Sequence, residues 1–196
     1  MLKCPSVWIN GHLKSREIVV RRREFLFWPE PRNGAPHHSD RLFRYNSVTM
    51  ALDIEEMRRK AEAGSCVAQG VLGACLLYGI EVEVDYAEAF RWLSAAAEQR
   101  ASRPTLHLAY MYQQGLGTPV NAEQAVKLLS AVASPSDSTD AFAARIELGR
   151  IFAMGLGVPP DGREAERWYR AALSVATEED ERDKIEEAKS FIARHS

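Results

Sequence analysis

The fold of this chain is decided by residues 141–172, which read AFAARIELGRIFAMGLGVPPDGREAERWYRAA. Small and apolar side chains recur at helical spacing on both sides of a central turn. Gly155 and Gly157 lie in that turn, where the left-handed backbone that ends a helix favours glycine. Asp161 follows, and aspartate is a preferred cap for the exposed N–H groups of a new helix. The stretch therefore predicts two short helices joined by a glycine-containing turn.

The same layout occurs twice upstream. The turn glycines Gly79, Gly115 and Gly155 are separated by 36 and then 40 residues. A period of about 20 to 50 residues is typical of stacked repeats, in which no unit buries its apolar face alone. We expect the repeat architecture to rest on small residues, turn glycines, helix caps and aromatics at Gly73, Gly79, Asp85, Trp92, Gly115, Asn121, Gly149, Gly155, Asp161 and Trp168.

The pattern predicts an all-α fold, an α/α solenoid of about three helix-turn-helix repeats. The repeats are expected at about 66–99, 104–133 and 141–175, with caps at 51–63 and 178–194. The last segment is strongly charged, which suits a cap because the end of an array meets solvent.

Residues 1–49 match nothing in the repeats, so we divide the chain into this extension and a repeat domain over 50–196. The extension has nine Lys and Arg against four acids, about +5, and the remainder has 16 basic against 23 acidic side chains, about −7. Candidate short strands at 7–9 and 17–20 flank Asn10-Gly11, a tight-turn pair, so the extension is predicted to be irregular or a small β hairpin.

Two interpretations of the extension stay open. Residues 1–49 are either an upstream extension of a reading frame that starts at Met50, or a basic arm that docks on the acidic repeats. Intact-mass measurement of the native protein distinguishes them, because only the first interpretation gives a mass that starts at Met50.

Composition narrows the possible partners and the possible location of the protein. The acidic repeat domain argues against nucleic acid as a partner, and no run approaches the roughly 18 apolar residues of a membrane span. Cys4, Cys66 and Cys75 lack metal-ligand spacing, which favours three free thiols in a reducing compartment. We therefore expect a cytoplasmic monomer without metal or cofactor.

The repeats resemble those of the Sel-1-like repeat family, a relative of the tetratricopeptide repeat with a longer, glycine-containing loop. Gly155-Leu156-Gly157-Val158 followed by Asp161 and Trp168-Tyr169 carries the resemblance. The first repeat departs from it at Glu81, where a loop glycine is expected, and the second at Leu128, where an aromatic is usual. The resemblance implies a right-handed superhelix with the first helix of each repeat on the concave side. It also implies an adaptor role that holds protein complexes together, and bacterial members of the family are often scaffolds, signalling partners or toxin-immunity proteins.

A groove on that side would be lined by first-helix residues three, four and seven positions from the core line. Aromatic, arginine and methionine side chains are favoured on peptide-binding surfaces. By this count the groove carries Val71 and Tyr78, then His107, Tyr110 and Gln114, then Glu147, Arg150 and Met154. The alternative is that several of these residues pack against neighbouring helices or the N-terminal segment.

The resemblance to this family leaves three functions open. The first is a protein–protein interaction module, an adaptor or scaffold that binds a partner polypeptide in the groove. The second is an immunity or inhibitor protein against a co-encoded bacterial toxin. The third, more remote, is a β-lactamase-like hydrolase. No motif positions a nucleophile beside His107 or Glu147, so we expect no catalytic residue, and His107 is expected to be exposed or groove-lining.

Overall fold

The computed structural model describes residues 53–134, 138–176 and 182–195, which lie in one compact unit. The described residues form eight α-helices and no strand: α1 Ile54–Glu62, α2 Cys66–Tyr78, α3 Tyr86–Glu98, α4 Ser102–Gln114, α5 Ala122–Ala133, α6 Thr139–Met154, α7 Gly162–Leu173 and α8 Arg182–His195. The predicted extension over 1–49, with its β hairpin, lies outside the described residues. The first residues of each predicted cap, 51–52 and 178–181, also lie outside them.

Each helix packs on the next one along the chain, and the pairs α2/α3, α4/α5 and α6/α7 are the three predicted hairpins. The first helices of the hairpins also meet one another, since α2 contacts α4 and α4 contacts α6. Helix α1 packs on α2, and α8 packs on α7 and α6. This arrangement is a helical-repeat solenoid, so the predicted fold class is confirmed.

Three apolar clusters form the core, and each crosses from one repeat to the next. The first contains residues of α1, α2, α3 and α4, the second contains residues of α4, α5 and α6, and the third contains residues of α6, α7 and α8. Trp92 lies in the first cluster and Trp168 packs against the second. Because every cluster draws on more than one hairpin, no single hairpin has a complete core of its own.

The turns inside the hairpins have the predicted chemistry. Gly79, Gly115 and Gly155 have φ values of 70°, 69° and 67°, the left-handed conformation in which glycine lacks the steric cost of a Cβ. The second helices are capped by side chains in an equally regular way: the oxygens of Asp85, Asn121 and Asp161 accept from backbone N–H groups three residues later, at 2.9, 3.0 and 3.1 Å.

Small residues let the two helices of a hairpin approach closely. A Cβ on Gly73 would lie 2.7 Å from the Leu93 side chain, and one on Gly149 would lie 2.7 Å from the Tyr169 ring. Both distances are far shorter than a van der Waals contact, so any larger residue would push the helices apart. The first and third hairpins therefore require glycine at this position.

The loop of each later repeat rests on the start of the second helix in the repeat before it. A Cβ on Gly117 would overlap the backbone of Tyr86, and one on Gly157 would lie 2.5 Å from the Ala122 Cβ. The first repeat has Glu81 at this loop position, and its φ of 57° keeps the left-handed backbone. The departure at Glu81 thus changes the residue without changing the path of the loop.

Helix α8 occupies the place of a further first helix. Ala188 and Phe191 are spaced like Gly149 and Phe152 in α6, and α8 contacts α6 as α4 does. Ala188 is fully buried and Phe191 is 9% exposed. The C-terminal cap is therefore equivalent to the first helix of a fourth repeat, and it packs on α6 and α7 as the other first helices pack on the repeat before them.

The cysteines differ from expectation. Cys75 is a free buried thiol, and burial raises its pKa to about 11. Cys66 is disulfide-bonded, so the prediction of three free thiols is wrong. Spacing along the sequence could exclude metal-ligand patterns but says nothing about the distance between two sulfur atoms in the fold.

Candidate functional site

The residues predicted to line a groove all lie on α2, α4 and α6, the first helices of the three hairpins. Their accessibility divides them. Gln114 and Met154 are exposed, and Met154 is 60% exposed. Val71, Tyr78, Tyr110 and Arg150 are partly buried.

His107 and Glu147 are buried, each only 6% exposed. The expectation of an exposed histidine at position 107 is therefore wrong, and the alternative, a groove-lining histidine, stays a prediction. The reason is that the first helices contact one another, so a position that faces outward from its own hairpin is covered by the neighbouring first helix.

Tyr78, which is partly buried, and His107, which is buried, form a polar pair between α2 and α4. The Tyr78 hydroxyl oxygen lies 3.0 Å from Nδ1 of His107, and the two rings meet edge to face with centroids 5.5 Å apart. Burial, reinforced by the nearby Arg103 charge, lowers the pKa of His107 to about 3. Burial raises the pKa of Tyr78 well above its usual range. Both groups are neutral at physiological pH, and their contact fixes the Tyr78 ring.

Arg103 lies one helical turn before His107 and connects α4 to α6. Its guanidinium nitrogen is 2.6 Å from the Asp140 carboxylate, and both side chains are largely covered, with 31% and 20% exposure. Tyr110 lies further along the same helix and is partly buried; burial raises its pKa. Arg103 extends the polar lining of α4 from His107 to the N-terminal end of the helix, and Tyr110 extends it toward the C-terminal end.

Arg150 is the centre of a second polar cluster, which joins α6, α7 and α8. Its Nε lies 2.8 and 3.0 Å from the two carboxylate oxygens of Glu187, and a terminal nitrogen lies 2.8 Å from Oε1 of Glu147. The Tyr169 hydroxyl donates to Glu187 at 3.0 Å. A guanidinium that contacts carboxylates on two helices is held in one orientation, since such forked contacts are geometrically specific.

The two carboxylates of this cluster have opposite electrostatic character. Burial raises the pKa of Glu147 despite the positive charges of Arg150 and Lys184. Burial also opposes ionisation of Glu187, but hydrogen bonds and charge from Arg150, with a hydrogen bond from Tyr169, leave its pKa below the usual value. Glu187 is thus the carboxylate that stabilises the Arg150 charge most strongly.

A cleft of about 310 Å³ opens beside this cluster at the C-terminal end of α6. Met154, Tyr169, Glu187 and Phe191 line it together with Ala153, Arg194 and His195. The cleft therefore combines an exposed, flexible methionine and an aromatic wall with charges that are already held in place.

Five residues in or beside these two polar clusters were not predicted as site residues: Arg103, Asp140, Tyr169, Lys184 and Glu187. Arg103 could have been found, because it precedes His107 by four residues and so shares its side of α4. Glu187 could have been found only by aligning Ala188 and Phe191 with Gly149 and Phe152. Its pairing with Arg150 depends on a helix whose place in the array the sequence did not fix.

No cluster of metal-binding side chains occurs among the residues that the structure describes. Within the same residues, no helix is long and apolar enough to cross a membrane.

The stacked hairpins, with their glycine turns and capped second helices, define an α-helical repeat protein of the tetratricopeptide-like kind. Three segments match the model of the Sel1 repeat, at residues 67–100, 106–133 and 143–174, and these are the α2/α3, α4/α5 and α6/α7 hairpins. The chain is a Sel1-like repeat protein. Sel1 repeats generally mediate protein–protein interaction, and the family is typically non-catalytic.

Two solved structures are similar to this chain. One is a Sel1 repeat protein from Oxalobacter formigenes, with 27% identity, a TM-score of 0.54, and coverage of 72% of this chain and 98% of that one. The other is c5321, a protective antigen of uropathogenic Escherichia coli that displays an SLR fold, with 25% identity and a TM-score of 0.57. That match covers 74% of this chain and 34% of the antigen, so this chain spans about a third of the antigen's length.

Proposed function

We propose that this protein is an adaptor or scaffold that binds a partner polypeptide on its first-helix face, the surface formed by α2, α4, α6 and α8. The observation that carries the proposal is the exposed Met154 beside the cleft and the fixed Arg150 guanidinium. An accessible apolar side chain, an adjoining cavity and a preorganised charge are the components of an interaction hot spot.

Two polar pairs, each with one buried member, support the same proposal because the buried member orients the more accessible one. His107 contacts Tyr78, and Glu147 contacts Arg150. We therefore assign positioning roles to His107 and Glu147, and contact roles to Tyr78, Tyr110, Gln114, Arg150 and Met154. Val71, partly buried on α2, belongs to the contact group at the other end of the face.

Site-specific photo-crosslinking in the cells that make the protein tests this assignment. A photoreactive amino acid replaces Gln114 in α4 in one variant and Lys127 in α5 in the matched control; both positions are exposed and belong to the same hairpin. We expect a discrete adduct with another polypeptide from position 114 and none from position 127. Adducts of equal yield from both positions, or from neither, would contradict the proposal.

The affinity of the captured partner then tests the individual residues. We expect Tyr110→Ala and Arg150→Glu each to weaken binding by about tenfold or more, since hot-spot truncations are worth about 2 kcal/mol. Lys127→Ala is the control and should leave the affinity unchanged. A partner retained equally by all three variants would remove the first-helix face as the binding surface.

A further inference from the structure

A second accessible surface runs along the loops between first and second helices. Its members are large apolar residues that the fold leaves in solvent: Val84 is 47% exposed, Tyr86 is 41% exposed, Val120 is 66% exposed and Leu156 is 47% exposed. We call these four residues the loop ridge. Each of the three hairpins contributes at least one of them.

Local packing accounts for only part of these side chains. Val84 and Val120 occupy equivalent positions, one residue before a helix cap, and each side chain lies beside the turn glycine of its hairpin. A Cβ on Gly79 would lie 3.0 Å from Cγ2 of Val84, and a Cβ on Gly115 would lie 2.9 Å from Cγ2 of Val120. An apolar residue at this position usually packs on the first turns of the following helix. Here about half or more of each valine surface still faces solvent.

The loops are continuous from one repeat to the next. Gly117, in the second loop, lies against Tyr86, and Gly157, in the third loop, lies against Ala122 at the start of α5. The exposed apolar residues therefore follow one edge of the solenoid, because each loop is seated on the hairpin before it. Contiguous exposed apolar surface rimmed by polar residues is typical of interaction sites.

The charge beside the ridge identifies the partner chemistry. The three loops with the first turns of their second helices, 79–88, 115–124 and 155–164, contain seven acidic residues and one basic residue. Glu88 pairs with one arginine of α1 and one of α3, and Glu164 pairs with an arginine of α7. Glu81 and Glu83 are exposed, and no described basic side chain pairs with them. An acidic border complements basic groups on a partner.

We propose that the loop ridge is a docking site for a segment of a partner protein in which aliphatic side chains alternate with Lys or Arg. The aliphatic groups cover Val84, Tyr86, Val120 and Leu156, and the basic groups face Glu81 and Glu83. The residues of the loop ridge are different from those assigned to the first-helix face, so the two proposals are tested with different variants.

Methyl NMR of the full chain tests the site with synthetic peptides. The probe is a short peptide of alternating Lys and Leu, and the matched control has Glu in place of Lys. We expect the Lys peptide to shift the methyl resonances of Val84, Val120 and Leu156, and binding to weaken as salt screens the charges. Equal binding of both peptides, absence of any shift, or shifts confined to Met154 and other first-helix residues would overturn the proposal.

Variants separate the two kinds of contact. Val84→Ser/Val120→Ser should weaken binding of the Lys peptide by about tenfold, because two aliphatic contacts are lost. Glu81→Gln/Glu83→Gln should weaken it by about fivefold and reduce the salt dependence. Gln114→Ala, on the first-helix face, should leave it unchanged. An effect of Gln114→Ala equal to that of the ridge variants would contradict the proposal.

Discussion

Gly117 lies directly against the backbone of Tyr86, so that a Cβ at position 117 would overlap the Tyr86 carbonyl group. The two residues belong to successive repeats, one in the loop of the second hairpin and one at the start of α3. A residue that defines a turn within one repeat thus also sets the distance between two repeats. Nearest-neighbour contacts of this kind largely determine the stability of a repeat array.

Gly117→Ala should therefore destabilise the protein more than Gly64→Ala. Both glycines have positive φ, but no atom lies within 4 Å of a Cβ on Gly64. We expect Gly64→Ala to cost about 1–2 kcal/mol from the left-handed backbone. Gly117→Ala should cost about 1–3 kcal/mol beyond that, from the overlap with Tyr86. Urea denaturation of the two variants measures the difference, and equal losses would show that the loop moves freely off α3.

Trp92 and Trp168 differ in whether the indole N–H has a hydrogen-bond acceptor, so comparing them shows how much that hydrogen bond contributes to stability. Nε1 of Trp92 donates to the Glu88 carboxylate at 3.1 Å, whereas the buried Nε1 of Trp168 has no acceptor among the described residues. We expect Trp92→Phe to reduce the free energy of unfolding by about 1 kcal/mol more than Trp168→Phe. Thermal or urea unfolding provides the comparison. A larger loss for Trp168→Phe would mean that its N–H is bonded in solution.

The buried neutral His107 should make the protein less stable in mild acid. Its pKa is about 3 in the folded state, against about 6.5 in an unfolded chain. Between these values only the unfolded state binds the proton, so the free energy of unfolding should fall as pH decreases, by up to about 1.4 kcal/mol per pH unit.

His107→Gln removes this proton while leaving a polar partner for Tyr78. We expect the variant to show a shallower loss of stability between neutral and mildly acidic pH than the wild type. NMR titration gives an independent measurement, since the His107 ring should stay neutral throughout that range. A His107 resonance that titrates near neutrality, or equal slopes for the two proteins, would refute the expectation.

Glu147 and Glu187 should affect stability in opposite directions as pH changes. The pKa of Glu187 is lowered in the folded state, so its contribution is present above its unfolded pKa of about 4.3 and is lost as pH falls through the folded value. The pKa of Glu147 is raised, so its contribution is present below about 4.3 and is lost as pH rises through the folded value.

The variants Glu187→Gln and Glu147→Gln isolate the two effects. As pH rises across the acidic range, the wild type should gain stability relative to Glu187→Gln and lose it relative to Glu147→Gln. Chemical denaturation at several pH values gives both differences. The same sign for both would indicate that Arg150 stabilises the two carboxylates alike.

Much of the fold could be predicted from local chemistry. The sequence marks each hairpin by a turn glycine followed by a capping residue, as in Gly155 and Asp161, and both signals act within a few residues of the chain. The observed first hairpin, α2 with α3, accordingly begins and ends within one residue of its expected helices. The small residue of each first helix, such as Gly149, was also predictable, because close helix packing admits no bulk there.

The candidate site was predictable only in outline. Helical spacing placed Tyr110, Arg150 and Met154 on one side of their helices, but it could not separate the exposed Met154 from the buried Glu147, which precedes it by two helical turns. That distinction depends on whether the first helix of the neighbouring repeat covers each position. The sequence of a single helix does not show where the neighbouring helix lies.

The sequence by itself determined the repeat: its turns, its caps and the small residues at its helix contacts, because these act between residues close along the chain or at a fixed period. Only the tertiary structure decided which polar side chains are buried, that Arg150 pairs with Glu187 of α8, and that Gly117 rests on Tyr86. Those contacts join residues of different repeats, and the stacking geometry that brings them together is a property of the assembled array.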